Sequence, residues 1–144
     1  MIEETLLIIK PDGKQHKTEI LHSIKSMGLE VYLSKQMLLP KEKVEVFYGH
    51  VKSKNEKIHK SLVDYMTSDE VYIAVLRGPH AIQKLRNKTG ETDPEKALPG
   101  TIRHKYKHDS KTVADREERA TQNTIHSSAN EQDAKYEIEF WFYK

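Results

Sequence analysis

Thr5-Leu6-Leu7-Ile8-Ile9-Lys10-Pro11-Asp12-Gly13 opens with a nearly continuous apolar run of strand length. Such a run predicts a strand covered on both faces and central in its sheet. Pro11-Asp12-Gly13 then forces the chain to turn. Ile20, Leu21, Ile24 and Met27 follow at helical spacing, with Gly28 where a helix C-cap belongs. Leu29, Val31 and Leu33 alternate with Glu30, Tyr32 and Ser34, the period of a half-buried strand.

Beyond Pro40, Val44, Phe47, Tyr48 and Val51 return to helical spacing, residues 52–60 read as a loop or short exposed helix, and Leu62 to Met66 as a short helical piece. Val71 to Leu76 is a second buried-strand candidate. Ala81, Ile82 and Leu85 give an amphipathic helix before Gly90, and Glu91 to Lys111 reads as a long loop of the kind that is usually functional or disordered. Residues 114–120 suit a short helix supported by an Asp115–Arg119 pair. Thr124-Ile125-His126 is β-prone, and Ser128-Ala129-Asn130-Glu131 fits a capping box for a helix with Ala134, Ile138 and Trp141 on one face. This order predicts an α+β sandwich with one mixed sheet.

The 144 residues suit a single domain, with 36% in the hydrophobic set and 32% charged. The 24 Lys and Arg nearly balance the 22 Asp and Glu, which excludes disorder driven by net charge. With no cysteine there is no disulfide, thiolate zinc site or cysteine nucleophile. No apolar stretch approaches the roughly 20 residues of a membrane helix, and Met1-Ile2-Glu3-Glu4 lacks a signal core, so a soluble cytoplasmic protein is expected. A nucleic-acid binder would usually be more basic than a net charge of +2.

Neither Gly-x-x-x-x-Gly-Lys-Ser/Thr nor Gly-x-Gly-x-x-Gly is present, so side chains would have to hold any phosphate. Lys10, Arg86, Thr92 and Arg103 are candidate donors, because guanidinium groups bind phosphate oxygens in pairs and a lysine adds a point charge. On composition alone, Arg86 and Arg103 read more readily as solvated surface charges. Of the eight histidines, His104 and His108 are four apart but lack accompanying carboxylates, so no metal site is assigned. His126 stands out by its place in a short β-prone segment just before a helix, since a neutral imidazole can carry a transferred group. By itself it fits a buried structural histidine better. Arg103 to His108 forms a small basic stretch with one aromatic, a weak nucleic-acid signal that fits solvated loop surface better.

Three motifs together are more specific. The segment Thr5 to Gly13, Leu98-Pro99-Gly100-Thr101-Ile102-Arg103 and Asn123-Thr124-Ile125-His126-Ser127-Ser128 resemble the nucleoside diphosphate kinase family, in order and along nearly the whole chain. Tyr65-Met66-Thr67-Ser68 and Gly90-Glu91-Thr92-Asp93-Pro94 match as well. The resemblance implies a ferredoxin-like βαββαβ fold with a four-stranded antiparallel sheet and added helices. It also implies phosphoryl transfer between nucleoside triphosphates and diphosphates by a ping-pong route, with Mg²⁺ on the phosphates and a homo-oligomer of the chain.

Position by position, the resemblance puts phosphate binding on Lys10, Tyr48, Arg86, Thr92, Arg103 and Asn123, and the phosphorylated histidine at His126. Ser128 and Glu137 match the pair that positions it. The base would stack where the family usually has phenylalanine and this chain offers Ile58, with His59 beside it. Val113 or Ala120 would face the base from the other side, after about ten residues inserted between Arg103 and Asn123 relative to common members. A rival reading keeps the fold but gives it to a catalytically lapsed module that binds nucleic acid or protein.

Overall fold

Leu6, Leu7, Ile8 and Ile9 are wholly buried because β1 (Ile2–Ile9) runs between two other strands and is covered on both faces. The computed structural model describes residues 1–144. A 3₁₀ turn over Pro11–His16 leads from β1 into α1 (Lys17–Lys25), then β2 (Glu30–Met37). Three helices follow, α2 (Lys41–Phe47), α3 (Gly49–Lys52) and α4 (Glu56–Met66), before β3 (Val71–Pro79) and α5 (Ala81–Thr89). Two short helices, α6 (Ile102–Lys105) and α7 (Lys111–Arg116), precede β4 (Ile125–Ser127), α8 (Glu131–Ile138) and a π-helical end over Glu139–Tyr143.

The sheet has four strands in the order β2-β3-β1-β4. Every neighbouring pair is antiparallel, where the element order had suggested a mixed sheet. The connections through α1 and α5 each skip over one strand, so no parallel neighbours arise. Alternation along β1 and β3 sorts their apolar residues onto two faces. Leu6, Ile8, Ile73 and Val75 meet Val44, Phe47, Val63, Ile138 and Trp141 on one side. Leu7, Ile9, Ala74 and Leu76 meet Ile20, Ile24, Leu85 and Ile102 on the other. Truncating one of these core aliphatics to alanine costs about 2–5 kcal/mol.

Local signals account for most helix starts. Asn55, whose side chain accepts from the Ile58 N–H, caps α4, so residues 56–60 of the polar stretch and the Leu62 piece join in one helix. Asn130 caps α8 by accepting from the Asp133 N–H. The capping box expected at Ser128 is therefore not formed, because that hydroxyl is used elsewhere. Asp115 pairs with Lys111 rather than Arg119, whose guanidinium takes Asp109 at 2.7 and 2.9 Å. Ala134, Ile138 and Trp141 do share a buried face.

Candidate active site

Pairing of β4 with β1 sets Ile8 opposite His126, which puts the imidazole on the α2–α8 side of the sheet, where Phe47 meets it edge-on. Its Nε2 lies 2.9 Å from Glu137 Oε1 on α8. The same carboxylate oxygen accepts from the Ser128 hydroxyl at 2.7 Å, and that hydroxyl in turn accepts the Leu6 N–H at 3.2 Å. Glu137 is thus held through Ser128, which β1 anchors just after β4, and it fixes the ring. His126 stays partly open, its side chain 21% exposed, while Ser128 and Glu137 are buried.

Cations gather beside this pair. Lys10 directly follows β1, is buried, and donates from Nζ to Asn123 Oδ1 at 2.8 Å. Burial first, and then the Arg103 charge, pull its pKa down to about 7, against an opposing pull from Asp12. Arg103, in α6, gives three of the five N–H donors of its guanidinium to the carbonyls of Asn123, Gly90 and Ile125. Desolvation, and next the neighbouring Arg86, lower its pKa to about 10. Gly90 presents its carbonyl from a left-handed backbone (φ 92°) that ends α5.

Arg86 donates to the Ser127 carbonyl at 3.2 Å from an exposed position on α5. Thr92 is also exposed, and its carbonyl receives the Asn123 amide at 2.9 Å. Tyr48 is buried with its hydroxyl unpartnered, between the charges of Glu137 and Arg103, and burial pushes its pKa up. Lys10, Tyr48, Arg86, Thr92, Arg103, Asn123, Ser128, His126 and Glu137 therefore converge on one end of β1 and β4. An unpartnered Tyr48 hydroxyl and the neighbouring cations Lys10, Arg86 and Arg103 thus lie next to an imidazole held by a carboxylate.

Two features were not legible in the sequence. Asp12, read only as part of a turn, accepts from the Tyr65 hydroxyl and from the Thr124 N–H. Tyr65 in turn sets its ring 5.8 Å from Lys10 Nζ. His59, expected beside the base, is buried and bonds the Glu45 carbonyl at 3.1 Å, so its ring is not presented for stacking. Ile58 is half-buried on α4. The basic stretch after Arg103 is spent internally: His104 meets the Ala97 carbonyl, Tyr106 stacks on His16, and His108 meets Asp12.

A sheet of this topology here carries a carboxylate-fixed histidine beside clustered cations, an arrangement suited to phosphoryl transfer. The model of the nucleoside diphosphate kinase family matches residues 3–144. The nucleoside diphosphate kinase of Campylobacter hominis is 38% identical over 143 residues, spanning 98% of this chain and 96% of that one. That of Staphylococcus carnosus is 37% identical over 143 residues, spanning 98% and 87%. Among solved structures, the NDP kinase of Pyrobaculum aerophilum superposes with a TM-score of 0.89 at 31% identity, covering 100% of this chain and 97% of that one. A transition-state mimic of the Borrelia burgdorferi enzyme with bound vanadate and ADP gives 0.89 at 29% identity, covering 98% and 87%. The chain belongs to the nucleoside diphosphate kinase family. It is a phosphoryl-transferring enzyme that acts on nucleotides, and the lapsed-module reading is not favoured.

Proposed function

We propose that His126 carries the phosphoryl group, accepting it from a nucleoside triphosphate on Nδ1 and passing it to a nucleoside diphosphate. The observation that supports this is the bond from Nε2 to Glu137. An Nε2 that donates to a carboxylate must hold the ring proton, which leaves the Nδ1 lone pair free. In the first half-reaction that lone pair forms a bond to the γ-phosphorus as the bond to the β-phosphate oxygen breaks. The ring becomes cationic and Glu137 stabilises it. The second half-reaction reverses these changes onto another diphosphate.

Phosphoryl transfer depends on positioning and on neutralising the oxygens of the transferred group. Lys10, Arg86 and Arg103 would supply charge, Thr92, Asn123 and Tyr48 neutral hydrogen bonds, and Ile58 an apolar surface for the base. No group of three or more carboxylates and imidazoles forms a metal cage. Mg²⁺ therefore fits as part of the substrate, carried on the nucleotide phosphates, where it would neutralise charge.

The same reading takes the chain as one domain with an insertion between Arg103 and Asn123, which suits two apolar clusters on the faces of one sheet. It takes the protein as cytoplasmic, and no helix is long and apolar enough to cross a membrane. It also takes the protein as a homo-oligomer. The outer edge of β2 and the exposed Leu38 and Val46 are surfaces open to a second copy. The test of function is phosphate exchange between ATP and a second nucleoside diphosphate, which His126→Ala should abolish.

A further inference from the structure

Thr124 stands two residues before His126 with φ at 76°, a conformation that β-branched residues rarely adopt. Strain of this kind persists only where the surroundings over-determine it. Its N–H donates to Asp12 Oδ2 at 3.0 Å, and its carbonyl accepts the Lys10 N–H at 2.9 Å. A Cβ added to Gly13 would meet that carbonyl at 2.7 Å and the Thr124 methyl at 2.9 Å, so only glycine lets the two segments approach. Thr124 follows Asn123, which holds the Lys10 ammonium. The backbone at Thr124 therefore sets the separation between a phosphate-binding side chain and the histidine.

Asp12 is central to this arrangement. Its side chain is 8% exposed, accepts from Thr124 N–H and the Tyr65 hydroxyl, and faces His108 Nε2 at 2.9 Å. His108 belongs to the 104–122 segment. That segment is also tied to α4, where Ser61 Oγ accepts the Ala120 N–H at 2.7 Å and Lys57 pairs with Glu118. The His108 imidazole and the Tyr106 ring stacked on His16 thus both join the segment to the turn that follows β1.

We propose that Asp12 is a positioning residue for phosphoryl transfer, holding Thr124 in its left-handed conformation and setting a negative charge beside Lys10, and that His108 orients Asp12 from the 104–122 segment. The proposal rests on His126 being the phosphoryl carrier. The charged and titratable groups facing Lys10 are Asp12 from the turn, Tyr65 from α4 and Arg103 from α6. Arg103 favours the neutral amine and Asp12 the ammonium. Removing the Asp12 charge lets Lys10 lose its proton at lower pH.

Asp12→Asn tests this, because it removes the charge while its one amide oxygen can still accept the Thr124 N–H, leaving the amide NH2 to face the Tyr65 hydroxyl oxygen. Single-turnover phosphorylation by MgATP is followed against pH, with melting temperature measured on the same samples. The alkaline limb should move down by about one pH unit, with about a fivefold loss of rate at pH 7. An alkaline limb at the wild-type position overturns the electrostatic role, whatever the rate. His108→Ala should slow the reaction less, since Asp12 keeps two partners, and a rate equal to wild type removes His108 from the proposal. Should Asp12→Asn fold poorly, Thr124→Gly added to it should restore the melting temperature, because glycine takes positive φ without strain. No restoration contradicts the holding role. Wild-type protein labelled at a residue other than His126 would sink the functional reading instead, and the same samples report it.

Discussion

Glu137 Oε1 accepts from the Ser128 hydroxyl at 2.7 Å and lies 2.9 Å from Nε2 of His126, so one carboxylate oxygen serves both residues. Glu137→Gln keeps the shape but offers a neutral amide, whose nitrogen can also turn toward the ring and favour the wrong tautomer. The expected loss in kcat is about 10²–10⁴-fold, the upper figure being the effect of the equivalent change in a Ser-His-Asp triad. Nucleotide KM should change little, since Glu137 touches the histidine and not the phosphates. Steady-state kinetics at saturating nucleotide separate the two, and a rise in KM alone would count against the assignment.

Lys10 gives a pH dependence with two opposite signs. Its folded pKa is about 7, below the ordinary lysine value near 10.5. Phosphate binding needs the ammonium, so kcat/KM should fall as pH rises through about 7. Stability runs the other way. Between the two values the unfolded chain binds more protons than the folded one, so stability rises with pH in that window. Lys10→Met, of similar length and uncharged, should abolish turnover yet raise the melting temperature at pH 7, with the difference narrowing toward pH 10. A lower melting temperature at pH 7 would contradict the cost ascribed to burying this charge.

Arginine positions should divide cleanly. Arg77 pairs with Glu4 and lies over the Tyr32 ring at 3.5 Å, away from the histidine. Arg77→Ala should leave turnover nearly unchanged. Arg86 and Arg103 sit in the cation cluster beside His126; if they hold the phosphates as proposed, removing one good donor should cost about 10²–10³ in rate. Arg86 is the cleaner probe, being exposed, whereas Arg103 also holds three backbone carbonyls and its removal should lower the melting temperature too. Equal rates for Arg77→Ala and Arg86→Ala would mean that the site is misplaced.

The division between legible and hidden follows physical range. The buried strands showed in continuous apolar runs, since β1 and β3 carry residues for two separate cores. The positions of Lys10, Arg103, Asn123 and His126 came from their motifs. What the sequence could not show is long-range and specific: Asp12 meeting Thr124, or Arg119 choosing Asp109 over Asp115. The capping box at Ser128 failed for the same reason, because a local partner lost to Glu137 and Leu6 in the tertiary structure.

Base recognition should be weak and unselective. Stacking on an aromatic side chain contributes about 1–3 kcal/mol per base in single-strand binders, and the aliphatic Ile58 stands here where His59 has turned inward to the Glu45 carbonyl. Guanine and cytosine nucleotides should give similar kcat/KM, and Ile58→Phe should tighten binding of both. A preference of several hundredfold would point to a base pocket built by other residues.

The phosphoenzyme itself tests the central claim most directly. Labelled MgATP should transfer one phosphoryl group per chain, acid-labile and alkali-stable, and ³¹P–¹⁵N correlation should place it on Nδ1 of His126. His126→Ala should take up no label and exchange no phosphate. Label retained in that variant, or a phosphoryl group found on Nε2, would contradict an account in which Glu137 holds Nε2 and leaves Nδ1 to react.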